Sequence, residues 1–319
     1  MSSNRTSPGM GALGALAVCA AALAAASACK SDGDGNNTTT TTSTTSTTGS
    51  GASGGGGTGT GGTGAVDACP GPGYESPTPT QETVGAISAL VQLPGGAPAT
   101  NITGTVCGLN ICIYGTPAAN GNILIDVGAQ LMIEPRFTWG DGLEYPKLAA
   151  HIPTFPAHDF GVVNTVALPP LTGSGPMTAG ASWMSSDAVL TIDAGALVEF
   201  DYLIYPDDVQ HQFRAVEIPT NGTALPAVQA DLELVYGFSP IHTHICPAAG
   251  LVLPNTPGWA AGTVVEFFLH GTTVFQDFAP YGGWAKFAEG TVSTDGLTVS
   301  TNPGEGVTEL DVIGVRVKP

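Results

Sequence analysis

The chain has 319 residues, 26 acidic against 8 basic, a formal net charge of −18, and only 11% charged residues. An acidic chain so poor in Lys and Arg is excluded as a nucleic-acid binder or a ligand of anionic membrane surfaces, because both depend on basic side chains neutralising phosphate. The acidic excess is thinly spread and reads as a solubility feature rather than a binding patch.

In residues 1–28, Arg5 precedes an uncharged run of small apolar residues from Gly11 to Ala26. This is the layout of a secretory signal peptide, and it falls short of the ~20 strongly apolar residues a spanning helix needs. The run ends Ala26-Ser27-Ala28-Cys29, which resembles the bacterial lipobox, with Ala26 where Leu is usual. The resemblance implies cleavage after Ala28, a palmitate-bearing lipid on Cys29, and a bacterial envelope location, lipid-anchored at the outer membrane and facing the periplasm or the cell surface. Removing residues 1–28, which hold Arg5 and no acidic residue, leaves a net charge of −19. Residues 29–68 continue as a Thr/Ser run and a Gly-rich run, which cannot bury apolar surface and read as a disordered tether with about 35 Å of root-mean-square reach.

Beyond the tether, short runs rich in Val, Ile, Leu, Phe and Thr alternate with Gly, Pro and Asn, without sustained helical periodicity. Strands are expected over Ile123–Val127, Gln130–Phe137, Asp159–Leu168, Ala188–Asp193, Phe213–Ile218 and Asp231–Phe238, then over Gly250–Leu253, Thr263–Leu269, Gly290–Ser293 and Leu310–Val317. The expected class is all-β, as two consecutive β-sandwiches. A membrane barrel is the competing all-β reading, and it wants a more regular alternation of ~10 residues. The Pro-rich stretch 169–176 marks the expected boundary, giving modules at 69–171 and 179–319. Cys69, Cys107, Cys112 and Cys246 are disulfide candidates with three possible connectivities in an exported chain; Cys107 and Cys112 suit a tight hairpin, which would leave Cys69 for Cys246.

The first module, with "ITGTVCG" (102–108), "ANGNILIDVG" (119–128) and "HDFGVVNTVALPPL" (158–171), resembles the transthyretin-like sandwich that accompanies carboxypeptidases as a regulatory domain. That resemblance implies a packing or presentation role without zinc ligands. The second, with "AVLTIDAGAL" (188–197), "YGFSP" (236–240), "CPAAGLVLPNTPGWAAGT" (246–263), "YGGWAKFAEGTVSTDG" (281–296) and "GEGVTELDVIGV" (304–315), resembles the ZU-type sandwich of ankyrins and netrin receptors. This resemblance implies protein contact and mechanical support. A departure is that Ile192–Leu197 lacks the proline usual in that family's element.

Within "SPIHTHICPAAG" (239–250), His242, His244 and Cys246 occupy alternate positions and would share one strand face. Imidazole and thiolate are zinc ligands, yet same-face neighbours stand roughly 6.5–7 Å apart along a strand, and an oxidised Cys246 has no thiolate. A solvent-facing strand with Ile241 and Ile245 in the core is therefore expected, with the metal trio as the alternative. His151, His158, His211 and His270 read as scattered structural residues. Asp207-Asp208 and the Ser293–Gly296 turn read as solvated turns that could alternatively hold calcium. The expectation is a non-enzymatic protein of adhesion, scaffolding or presentation, with no cofactor, partnered by a membrane through its lipid and by a protein or polysaccharide surface. An exported hydrolase or metal-binding protein centred near His242 and His244 is the alternative.

Overall fold

The structure, a computed structural model, describes residues 80–132, 134–152, 157–173, 175–220, 231–274 and 276–319. Cys29 and Cys69 lie outside them, as do the signal and tether expectations. The described residues are all-β, and all belong to a compact unit spanning Gly62–Pro319.

The first strand group is two sheets around one core. β1 (Gln81–Gln92) lies between β4 (Asn122–Met132), antiparallel to it, and β7 (Ala157–Asn164), parallel to it. β2 (Gly104–Cys107), β3 (Cys112–Gly115), β5 (Arg136–Trp139) and β6 (Leu148–His151) form an antiparallel sheet in the order β3-β2-β5-β6. Along β4 the pattern alternates as a half-buried strand should: Ile123, Ile125 and Val127 are buried while Leu124 is 63% exposed. Side chains from both sheets, among them Ile87, Val91, Ile125, Phe137, Trp139 and Leu148, meet in one buried cluster. Cys107 and Cys112 face each other across the β2–β3 ladder and are disulfide-bonded. Asn110 at the hairpin tip accepts from Met132 N at 2.9 Å and donates to Gln130 O at 3.3 Å, which ties the tip to β4.

The second group is a long sheet that curls until its two ends meet. Its path runs β11 (Arg214–Glu217), β12 (Leu234–Ser239), β18 (Val312–Val317), β14 (Val264–His270), β15 (Trp284–Val292), β16 (Thr298–Thr301), β13 (Thr243–Pro254), β9 (Ala188–Ile192) and β8 (Ala181–Ser185). Ser185 Oγ on β8 accepts from Ala215 N on β11 at 3.0 Å, so the terminal strands touch. β13 changes partners along its length. Its first part pairs with β10 (Leu197–Glu199) and β17 (Val307–Leu310), and its second part with β9 and β16. The enclosed core includes Leu190, Phe238, Ile245, Leu251, Phe267, Leu310 and Val315.

The Pro-rich stretch 169–176 joins two groups that share buried surface. Ile218, Leu232, Val235, Phe268 and Val312 of the second group lie in the core cluster of the first. Gly237 on β12 shows how closely the two groups pack: a Cβ there would stand 2.4 Å from both Cβ and Cγ of the Pro146 ring.

Candidate functional site

A buried polar cluster sits where β13 begins. Tyr205 OH accepts from Ile241 N at 2.8 Å and donates to Gly142 O at 2.6 Å, fixing the turn before β13. His242 N donates to Leu310 O at 2.8 Å, docking that turn on the end of β17. His242 itself has φ +57, the left-handed region, so it is not part of the extended strand, which starts at Thr243. This corrects the expected common face of His242, His244 and Cys246: a left-handed residue breaks the two-residue alternation and redirects the His242 side chain.

The redirected imidazole meets two carboxylates. His242 Nδ1 lies 3.1 Å from Glu309 Oε1 and 3.7 Å from Asp311 Oδ2. Each carboxylate is held from the loop after β14. Thr272 Oγ1 donates to Asp311 Oδ2 at 2.6 Å, and Gln276 Nε2 donates to Glu309 Oε1 at 2.8 Å, while Thr272 N donates to Gln276 Oε1 at 2.8 Å. Asp311 Oδ1 takes Val312 N at 2.9 Å. Asp311 is fully buried, and the side chains of Glu309 and His242 are 9% and 13% exposed.

Electrostatics follow from that burial. Desolvation pushes the Asp311 carboxyl up to about 6, Glu309 adding to it, against the pull of His242, the Thr272 hydrogen bond and Lys147. Desolvation opposes the charged form of His242, but the Glu309 hydrogen bond and the charges of Asp311 and Glu309 together hold it above its ordinary value. Burial lowers Lys147, against the attraction of Asp311 and Asp201. The carboxyls facing His242 are thus what offset the burial of its charged form.

Beside the cluster opens a cleft of about 730 Å³. Its lining includes Ile241, Thr272 and Lys147, together with Ile111 and Tyr114 of the β2–β3 hairpin. Ile111 and Tyr114 are 47% and 70% exposed.

The remaining expected residues serve locally. His244 is half-buried on β13 with its ring 5.2 Å from that of Phe278. Cys246 is 2% exposed and disulfide-bonded, so it offers no thiolate and does not face solvent. Ile241 and Ile245 are buried, as expected. His270 is buried, its Nε2 accepting from Ala149 N at 3.1 Å and its Nδ1 donating to Gly283 O at 2.8 Å. His211 stacks on Phe200 at 4.1 Å and bonds Tyr205 O at 2.8 Å. His158 packs edge-on against Phe160, and His151 lies against Arg136 and 3.8 Å from Glu134. Asp207 N donates to Gln210 Oε1 at 3.1 Å in a short 3-10 turn, and Asp295 Oδ1 accepts from Ser293 Oγ at 2.5 Å and Leu297 N at 3.0 Å. Both acidic turns thus have internal hydrogen bonds of their own.

Fold and site together define an all-β protein with a polar cluster at the edge of a cleft. No protein-family model, curated protein or solved structure matches the chain.

Proposed function

We propose that this is an exported protein, held in the bacterial cell envelope by a lipid on Cys29, that works by adhesion, scaffolding or presentation rather than by catalysis. The observation that supports a contact role is the cleft rim, where Ile111 and Tyr114 stand exposed on a hairpin fixed by the Cys107–Cys112 bond. Exposed aromatic and apolar side chains on a rigid rim suit a polysaccharide or protein surface. The likeness of the two halves to transthyretin-like and ZU-type sandwiches, which act through contact, supports the same reading. The acidic balance leaves nucleic acid without a basic surface to engage.

Anchoring is tested by intact-mass measurement on protein extracted from membranes. The expected species begins at Cys29, carries acyl chains and retains two disulfides, the second joining Cys69 to Cys246. An unmodified amino terminus at Cys29 or Lys30 refutes the lipid anchor. The contact role is tested by retention on immobilised envelope polysaccharide, where Tyr114→Ala should weaken binding several-fold with the fold intact.

A second reading, an exported metal-dependent protein, is favoured by one observation. The fold brings His242 together with Glu309 and Asp311, 67 residues or more along the chain, beside a cleft.

A further inference from the structure

We propose that His242, Glu309 and Asp311 form a binding site for one divalent transition-metal cation of the zinc class. The proposal rests on the second functional reading and is independent of the lipid anchor. One ligand atom from each of the three side chains falls in a group whose members all lie within 4.8 Å of one another. Zinc holds nitrogen and oxygen ligands at about 2.0–2.2 Å, which in a tetrahedron sets neighbouring ligand atoms about 3.3–3.5 Å apart. The observed separations of 3.1 and 3.7 Å from His242 Nδ1 to the two carboxylates bracket that spacing.

The donor set selects the ion. Calcium and magnesium take oxygen ligands, whereas an imidazole with two carboxylates suits zinc, manganese or ferrous iron. The surroundings are those of a prepared site. The Thr272 hydroxyl orients Asp311 and the Gln276 amide orients Glu309, which is how an outer shell aims carboxylate ligands. The His242–Leu310 backbone bond fixes the spacing between the imidazole and the two carboxylates. Ile241 and Thr272, the neighbours of the ligands, line the cleft, so an ion has a short way in. Three protein ligands leave a fourth position for water or a bound oxygen atom.

The test uses the full mature chain in detergent, stripped with chelator, dialysed against Zn²⁺ and measured by elemental analysis, with Co²⁺ as the spectroscopic probe. One zinc per chain and the visible absorption of four- or five-coordinate cobalt are expected. H242A, E309Q and D311N should abolish stoichiometric binding, Thr272→Val should weaken it about 10–100-fold, and H244A should leave it unchanged. Wild-type protein that takes up no stoichiometric zinc overturns both the site and the metal-dependent reading, and this outcome needs no variant to fold. Zinc that persists at one per chain in both H242A and D311N overturns the site and spares that reading.

Discussion

His270 links the two strand groups through a single ring, because its nitrogens engage Ala149 of the first and Gly283 of the second. Its bonding requires the neutral form. Burial first, with the Arg136 charge assisting, pushes it down to about 4 from 6.5. The folded state therefore binds fewer protons than the unfolded state between those values. The resulting stability is complete above pH 6.5 and is lost as the pH falls towards 4, by about 3 kcal/mol in all. Urea denaturation of wild type and His270→Gln at pH 7 and pH 4 should show the variant weaker at pH 7 by about 1–3 kcal/mol, for the orphaned Ala149 N–H and Gly283 C=O. It should also show a smaller loss on acidification, and equal losses in both proteins would remove His270 as the cause. At this scale the sequence named His242 but not its partners. The available signal was two carboxylates, Glu309 and Asp311, set in the apolar run from Val307 to Val315. The pairing itself depends on a left-handed turn and a strand switch that no local pattern encodes.

Among the elements, the β2–β3 hairpin is the one whose covalent closure forms the cleft rim. Cys107 and Cys112 are 5 residues apart, and closing so small a loop restrains the unfolded chain by about 2 kcal/mol. The double variant C107A/C112A should lose about that much in chemical denaturation, with faster amide exchange over 104–115. Unchanged exchange would mean that the β2–β5 ladder and Asn110 hold the rim unaided. Strands β9, β11 and β14 were legible within a few residues, whereas the expected Ile123–Val127 and Gln130–Phe137 are redivided into β4, which runs on to Met132, and β5 from Arg136, and the 12-residue β1 was not anticipated. Its pairing shifts register between Val84 and Ala86 and again between Ser88 and Leu90, which disrupts the period-2 signal. Gly85, Ala86, Ser88 and Ala89 also carry little strand propensity of their own. What makes it a strand is a partner on each side, supplied from about 40 and 70 residues further on.

For the molecule as a whole, the shared core sets what can stand alone. Residues 179–319 expressed without the first group would uncover Ile218, Leu232, Val235, Phe268 and Val312, each less than 10% exposed in the intact chain. That fragment should bind a hydrophobic dye and melt well below the full chain. A fragment with the parent's melting temperature and no dye binding would show that the second group folds on its own. The all-β class was readable from composition and turn spacing. The burial of five side chains across the expected boundary was not, because a contact between distant segments leaves no trace in the local pattern of either.

The placement of β1 carries a mechanical consequence. It is the first described strand, so once the expected Cys69–Cys246 bridge is reduced, tension applied through the chain's amino-terminal side enters the folded body along its axis. Hydrogen bonds to β4 on one flank and β7 on the other lie across that direction. They are loaded in shear and must yield together rather than peel open one after another. A body loaded from that end resists unravelling strand by strand.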